Sequence, residues 1–68
     1  MNLRENRIRA LARRIHQVTG RTDEKANWHQ AASLIDAYPS HDFDVRANNG
    51  RFSIYLADRH NRHAVMPI

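Results

Sequence analysis

Residues 43–56 read FDVRANNGRFSIYL, and this stretch decides the fold. Phe43, Val45 and Ala47 alternate with Asp44 and Arg46, and Phe52, Ile54 and Leu56 alternate with Ser53 and Tyr55. Strict apolar–polar alternation is the pattern of a strand with one buried face. Between the two runs stands Asn49-Gly50, the favoured pair for a two-residue type I′ turn, whose central residues both need positive φ. A two-residue turn fixes the register. It pairs Ala47 with Phe52, Val45 with Ile54 and Phe43 with Leu56, so that the apolar partners share one face. The opposite face then carries Arg46 across from Ser53 and Asp44 across from Tyr55. The expected strands are residues 42–48 and 51–58.

Downstream, a turn over Asp58 to Arg62 leads into a third strand at about residues 63–66. Its register stays open. One loop length points Val65 at the core, whereas a loop one residue longer or shorter points Ala64, Met66 and Ile68 there, because a one-residue slip exchanges the faces. Pro67 has no N–H to give to a ladder, which suits an edge strand.

Upstream, the period changes from two to three and four. Leu3, Ile8, Leu11, Ala12, Ile15 and Val18 form one helical stripe, and Gly20 stands where a left-handed C-cap belongs, giving a helix over residues 3–19. Thr22 or Asp23 can cap a second helix over 23–37, whose stripe is Trp28, Ala31, Ala32 and Ile35, with Leu34 and Tyr38 as further candidates; Pro39 ends it. So short a connection makes the two helices an antiparallel hairpin. The expected architecture is α+β in the order ααβββ, one domain over residues 1–68, with the helical hairpin packed on one face of a three-stranded antiparallel meander.

A chain of 68 residues has room for one core and buries only about 60% of its unfolded surface. A homodimer or a bound partner would add to that. There are no cysteines, hence no disulfide and no thiolate zinc site. The N-terminus leads into no apolar run, so no signal peptide is expected, and no stretch nears the ~20 apolar residues of a membrane span. A cytoplasmic location fits this composition. Ten arginines and one lysine against seven acids leave a formal charge of +4, a balance that favours acidic partners.

The candidate chemistry is sparse. Asp58, His60 and His63 could offer carboxylate and imidazole ligands from one turn, but a metal site needs further ligands on rigid elements, and exposed turn histidines are the plainer reading. Asp42 and Asp44 share a strand face, where solvated carboxylates are expected rather than an acid–base pair in a cleft. No serine or threonine sits in a nucleophile motif, and neither glycine belongs to a phosphate-cradling loop. No enzyme activity and no cofactor are expected.

Two surfaces remain. The outward sheet face gathers Arg46, Ser53 and Tyr55 with Met66 or Val65, a mixture common in protein interfaces, where Tyr, Met and Arg are enriched. On helix one, Arg9, Arg13 and His16 lie opposite the buried stripe and Arg14 flanks it. With Arg21 in the interhelical turn, these arginines could follow a phosphate backbone, the alternative being a solvated helix face. Trp28 falls on the apolar stripe and is expected to pack in the core.

Residues 7–35 resemble the helical-hairpin unit of uncharacterised small bacterial proteins, a family of unknown function, through Ile8, Ala12, Ile15, Gly20-Arg21 and Trp28 with Ala31. That family usually carries proline after Gly-Arg, where this chain has Thr22, and its interhelical segment is longer. The resemblance implies a helical hairpin and a bacterial or phage source, and no activity. The reading that follows is a small non-enzymatic binding protein, an accessory or inhibitory factor docking on a larger protein or protein–nucleic acid partner. Phage- and plasmid-borne inhibitors, anti-CRISPR proteins among them, are comparably small and motif-free, which is analogy only. The alternative is a basic nucleic-acid-binding module working through Arg9, Arg13, Arg14 and Arg21.

Overall fold

A computed structural model describes residues 2–57 and 64–68. Its elements follow the order α1 (Leu3–Thr19), α2 (Glu24–Ala37), β1 (Phe43–Asn48), β2 (Arg51–Leu56) and β3 (Ala64–Pro67). The expected turn over residues 58–62 and the start of the third strand at residue 63 lie outside the described residues.

Local chemistry sets each boundary. Asn2 caps α1 by accepting from the Glu5 N–H at 3.1 Å. Gly20, at φ 75°, closes the helix by donating its N–H to the His16 carbonyl at 2.8 Å. Asp23, rather than Thr22, caps α2 through the Ala26 N–H. Asn49 and Gly50 take the positive φ values, 54° and 77°, that the hairpin turn requires.

The sheet is antiparallel throughout, in the order β1-β2-β3. The β1–β2 register is the one fixed by the turn, from Phe43 opposite Leu56 to Asn48 opposite Arg51. A bond from the Ala57 N–H to the Asp42 carbonyl carries the pairing one step beyond the strands. The third strand resolves its ambiguity with an irregularity. Met66 faces Ile54, while Ala64 faces Tyr55, which leaves Val65 as an extra residue. Such a bulge lets consecutive residues lean toward one side, and Val65, Met66 and Ile68 all pack against the core. As the edge strand, β3 accommodates Pro67 opposite Ser53.

The helical hairpin covers one sheet face. Ile8, Leu11 and Ile15 of α1, Ala31, Leu34 and Ile35 of α2, and Val45 and Ile54 of the sheet form the buried centre. Ala12, Val18, Trp28, Ala32, Tyr38 and Phe43 surround it. Leu3 departs from expectation at 74% exposure. On a helix of 3.6 residues per turn it falls on the flank of Arg7 and Arg14, off the Ile8–Leu11–Ile15 line. The connection from α2 to β1 is held from α1, because the Arg7 guanidinium donates to the Pro39 and His41 carbonyls, each at 2.5 Å. Tyr38 meets His41 and Phe43 edge-on in the same corner. Among the described residues no helix is long and apolar enough to cross a membrane.

Candidate functional site

Strand alternation that buries Val45 and Ile54 must turn their neighbours outward. Asp44, Arg46, Ser53 and Tyr55 accordingly share the face opposite the helices, with Ala64 and Pro67 of β3 beside them. Tyr55 and Ser53 lie on the central strand and are half-buried, flanked on both sides by neighbouring strands. Arg46 Nη2 reaches Asp44 Oδ2 at 3.3 Å, so these two charges are paired on the face. Met66 does not join them. It sits opposite Ile54 and packs against the core, because the bulge at Val65 keeps the downstream end of β3 in step with the buried side of β2. The outward face therefore carries Asp44, Arg46, Arg51, Ser53 and Tyr55, without Met66.

The arginines sort by what their guanidinium groups touch. Arg4 grips Asp36 with two parallel bonds of 2.7 and 2.8 Å, which join the start of α1 to the end of α2. Those bonds hold the Asp36 carboxyl below the usual aspartate range, with Coulomb attraction adding to them and desolvation opposing. Arg7 is committed to the carbonyls described above. Arg21 is committed as well: Nε donates to Asn27 Oδ1 at 2.5 Å and Nη2 to Gln30 Oε1 at 2.6 Å. Asn27, only 3% exposed, returns a bond from Nδ2 to the Arg21 carbonyl. Nε and Nη2 of Arg21 thus hold the interhelical turn together, which leaves it fewer free donors for a nucleic acid than Arg9 or Arg13.

Arg14 separates from Arg9 and Arg13. It lines a groove with Arg7, Ala10 and Asp42 along the β1 side of α1. Arg9, Arg13 and His16 line a second groove, of about 540 Å³, between the helices, together with Ala12, Asn27 and Trp28. The four arginines of the nucleic-acid reading are thus divided over three places. Among the described residues, neither Arg9 nor Arg13 has a carboxylate at ion-pair distance, Glu5 included. His16 is oriented by its Nδ1, 3.0 Å from the Arg21 carbonyl; a carbonyl only accepts, so Nδ1 carries the proton. Trp28 is the feature that periodicity undervalued. It touches the core cluster and also lines this groove.

Asp58, His60 and His63 lie outside the described residues. Among the described ones, no three His, Cys, Asp or Glu side chains are grouped to hold a metal ion. Neither a family model, a curated protein nor a solved structure matches the chain.

Proposed function

We propose that this chain is a small non-enzymatic binding protein that docks on a larger protein, as an accessory or inhibitory factor, through the outer face of its sheet. The observation behind this reading is Tyr55. It stands on the central strand, on the face away from the helices, with Ser53 and the Asp44–Arg46 pair beside it. A tyrosine held by two flanking strands offers a large amphipathic surface at little cost in side-chain entropy, which is why such residues dominate binding energy at protein interfaces. Asp44 offsets Arg46, and Arg51 adds one positive charge at the turn end of the same face, so the face suits a protein surface of mixed polarity.

The test is parallel affinity capture from the source organism with quantitative mass spectrometry, using wild type, Tyr55→Ala and the double variant Arg9→Glu/Arg13→Glu. The expected result is one protein held by wild type and by the double variant and lost from Tyr55→Ala, with circular dichroism showing all three folded. An anchoring tyrosine is worth about 2 kcal/mol, roughly a 30-fold loss on truncation. Equal loss from both variants would remove the case for the sheet face.

A further inference from the structure

The groove between α1 and α2 combines features that the sheet face lacks. Trp28 and Ala12, both half-buried, line it side by side with polar residues, so part of the tryptophan faces the groove. Arg9 and Arg13 stand exposed on its α1 side, with no carboxylate partner among the described residues. Glu24 is the one carboxylate among the described residues lining it. A volume of about 540 Å³ falls within the range of small-molecule sites.

From these observations we propose that the groove binds single-stranded nucleic acid, with one base stacked on Trp28 and adjacent phosphates on Arg9 and Arg13. Charge complementarity chooses the occupant. Among the described residues the two guanidinium groups have no hydrogen-bond or ion-pair partner, a condition they share with Arg14 and Arg51, whereas Arg4, Arg7, Arg21 and Arg46 are each engaged; only Arg9 and Arg13 stand beside Trp28. Spacing agrees. Four residues of helix rise about 6 Å, close to one phosphate-to-phosphate step of an extended strand. Aromatic floors and cationic rims are the ordinary means of holding a strand without reading its sequence, because every base has a π-face. Asn27, which lines the groove, is tied to Arg21 of the interhelical turn, so this side of the site is set before any ligand arrives.

Trp28 is the only tryptophan in the chain, so intrinsic fluorescence reports on this groove directly. The full chain is titrated with a deoxythymidine hexamer, with thymidine monophosphate and with a hexaglutamate peptide, at several salt concentrations. Saturable quenching by the hexamer is expected, with a log–log salt slope of about −1.4 for two phosphate contacts on a single strand. Arg9→Gln and Arg13→Gln each reduce the magnitude of that slope by about 0.7.

Trp28→Leu keeps an apolar side chain against the core but lacks a π-face. Followed by anisotropy of a labelled hexamer, it is expected to bind roughly tenfold more weakly. If that variant does not fold, the quenching and the two arginine variants decide the matter. Absence of quenching, hexaglutamate binding as tightly as the hexamer, or the mononucleotide matching the hexamer would each overturn the proposal. So would a folded Trp28→Leu that binds like wild type. Tyr55→Ala leaves hexamer binding unchanged, which keeps this groove and the sheet face separately testable.

Discussion

Arg21 and Asn27 hold each other in both directions. The Arg21 Nε donates to the Asn27 side-chain oxygen at 2.5 Å, and the Asn27 amide nitrogen donates to the Arg21 backbone carbonyl at 2.9 Å. A residue in the interhelical turn is thereby tied to a buried position one turn into α2. Gln30 extends the chain of contacts, accepting from Arg21 and donating to the Pro67 carbonyl at 2.8 Å. Turn, helix and edge strand are linked by one arginine and two amides.

Replacing Asn27 by alanine leaves a partly buried guanidinium short of an acceptor. A hydrogen bond to a charged group contributes about 1.5–3 kcal/mol, so Asn27→Ala is expected to lower stability by about 2 kcal/mol. In a domain of this size that is a fall in Tm of about 10 °C. Gln30→Ala is expected to cost less, because its partners lie nearer solvent. Thermal melts of both variants check the order, and a larger loss from Gln30→Ala would contradict it.

Asn27 also marks where reading by pattern stops. Asn27, Ala31, Leu34 and Ile35 follow i, i+4, i+7 and i+8, so the buried line of α2 was present in the sequence with a polar residue on it. Periodicity counts apolar letters and steps over such a residue; what qualifies it for burial is a partner that arrives only with the turn. The hairpin was legible for the opposite reason, since Asn49-Gly50 and the alternation around it specify the register locally. The face of Met66 was not, because a bulge at Val65 depends on how β3 meets β2 and leaves no local signature. The groove at Trp28 needed both helices in place before Arg9 and Arg13 could be set apart from Arg14 and Arg21.

Gly20 and Gly50 give a test of backbone geometry without steric interference. Both have φ near +75°, at 75° and 77°, and a Cβ built at either would meet nothing within 4 Å. An L-alanine there bears only the left-handed penalty of about 1–2 kcal/mol. A D-alanine prefers that region and restricts the unfolded chain, for a gain of about 0.4–1 kcal/mol. Chemical synthesis of a 68-residue chain makes both variants accessible. Opposite signs in urea denaturation are the expected result, and two losses of equal size would mean that the sign of φ is not what these positions demand.

The Arg4–Asp36 pair sets a pH dependence of known sign. Its hydrogen bonds hold the Asp36 carboxyl below its usual range, so the folded chain binds a proton there less readily than the unfolded chain does. The contribution is therefore complete above the usual aspartate range, about pH 4, and is lost as pH falls through the lower folded value. Both side chains are more than half exposed, at 55% and 54%, so the effect is small and shrinks in salt. The gap in Tm between wild type and Asp36→Asn is expected to close between pH 5 and pH 2. A gap that stays constant over that interval would show that the carboxylate's charge is not its source.

Ile54 and Tyr55 are adjacent in β2 and answer to different constraints. Ile54 is 0% exposed, opposite Val45 on one side and Met66 on the other. Truncating such a residue to alanine removes its transfer free energy and leaves a cavity, at about 2–5 kcal/mol, whereas Ile54→Val costs about 1 kcal/mol. A chain this short has a total stability of about 3–10 kcal/mol. Ile54→Ala is thus expected to lower the urea midpoint by at least about a fifth and, at the lower end of that stability range, to abolish it, while Ser53→Ala, on the other face, stays within about 0.5 kcal/mol of wild type. Tyr55→Ala is expected to take away partner binding at a stability cost well below that of Ile54→Ala. If instead Tyr55→Ala destabilises the chain as much as Ile54→Ala does, the outer face is covered in the folded protein, and the docking surface must be sought elsewhere.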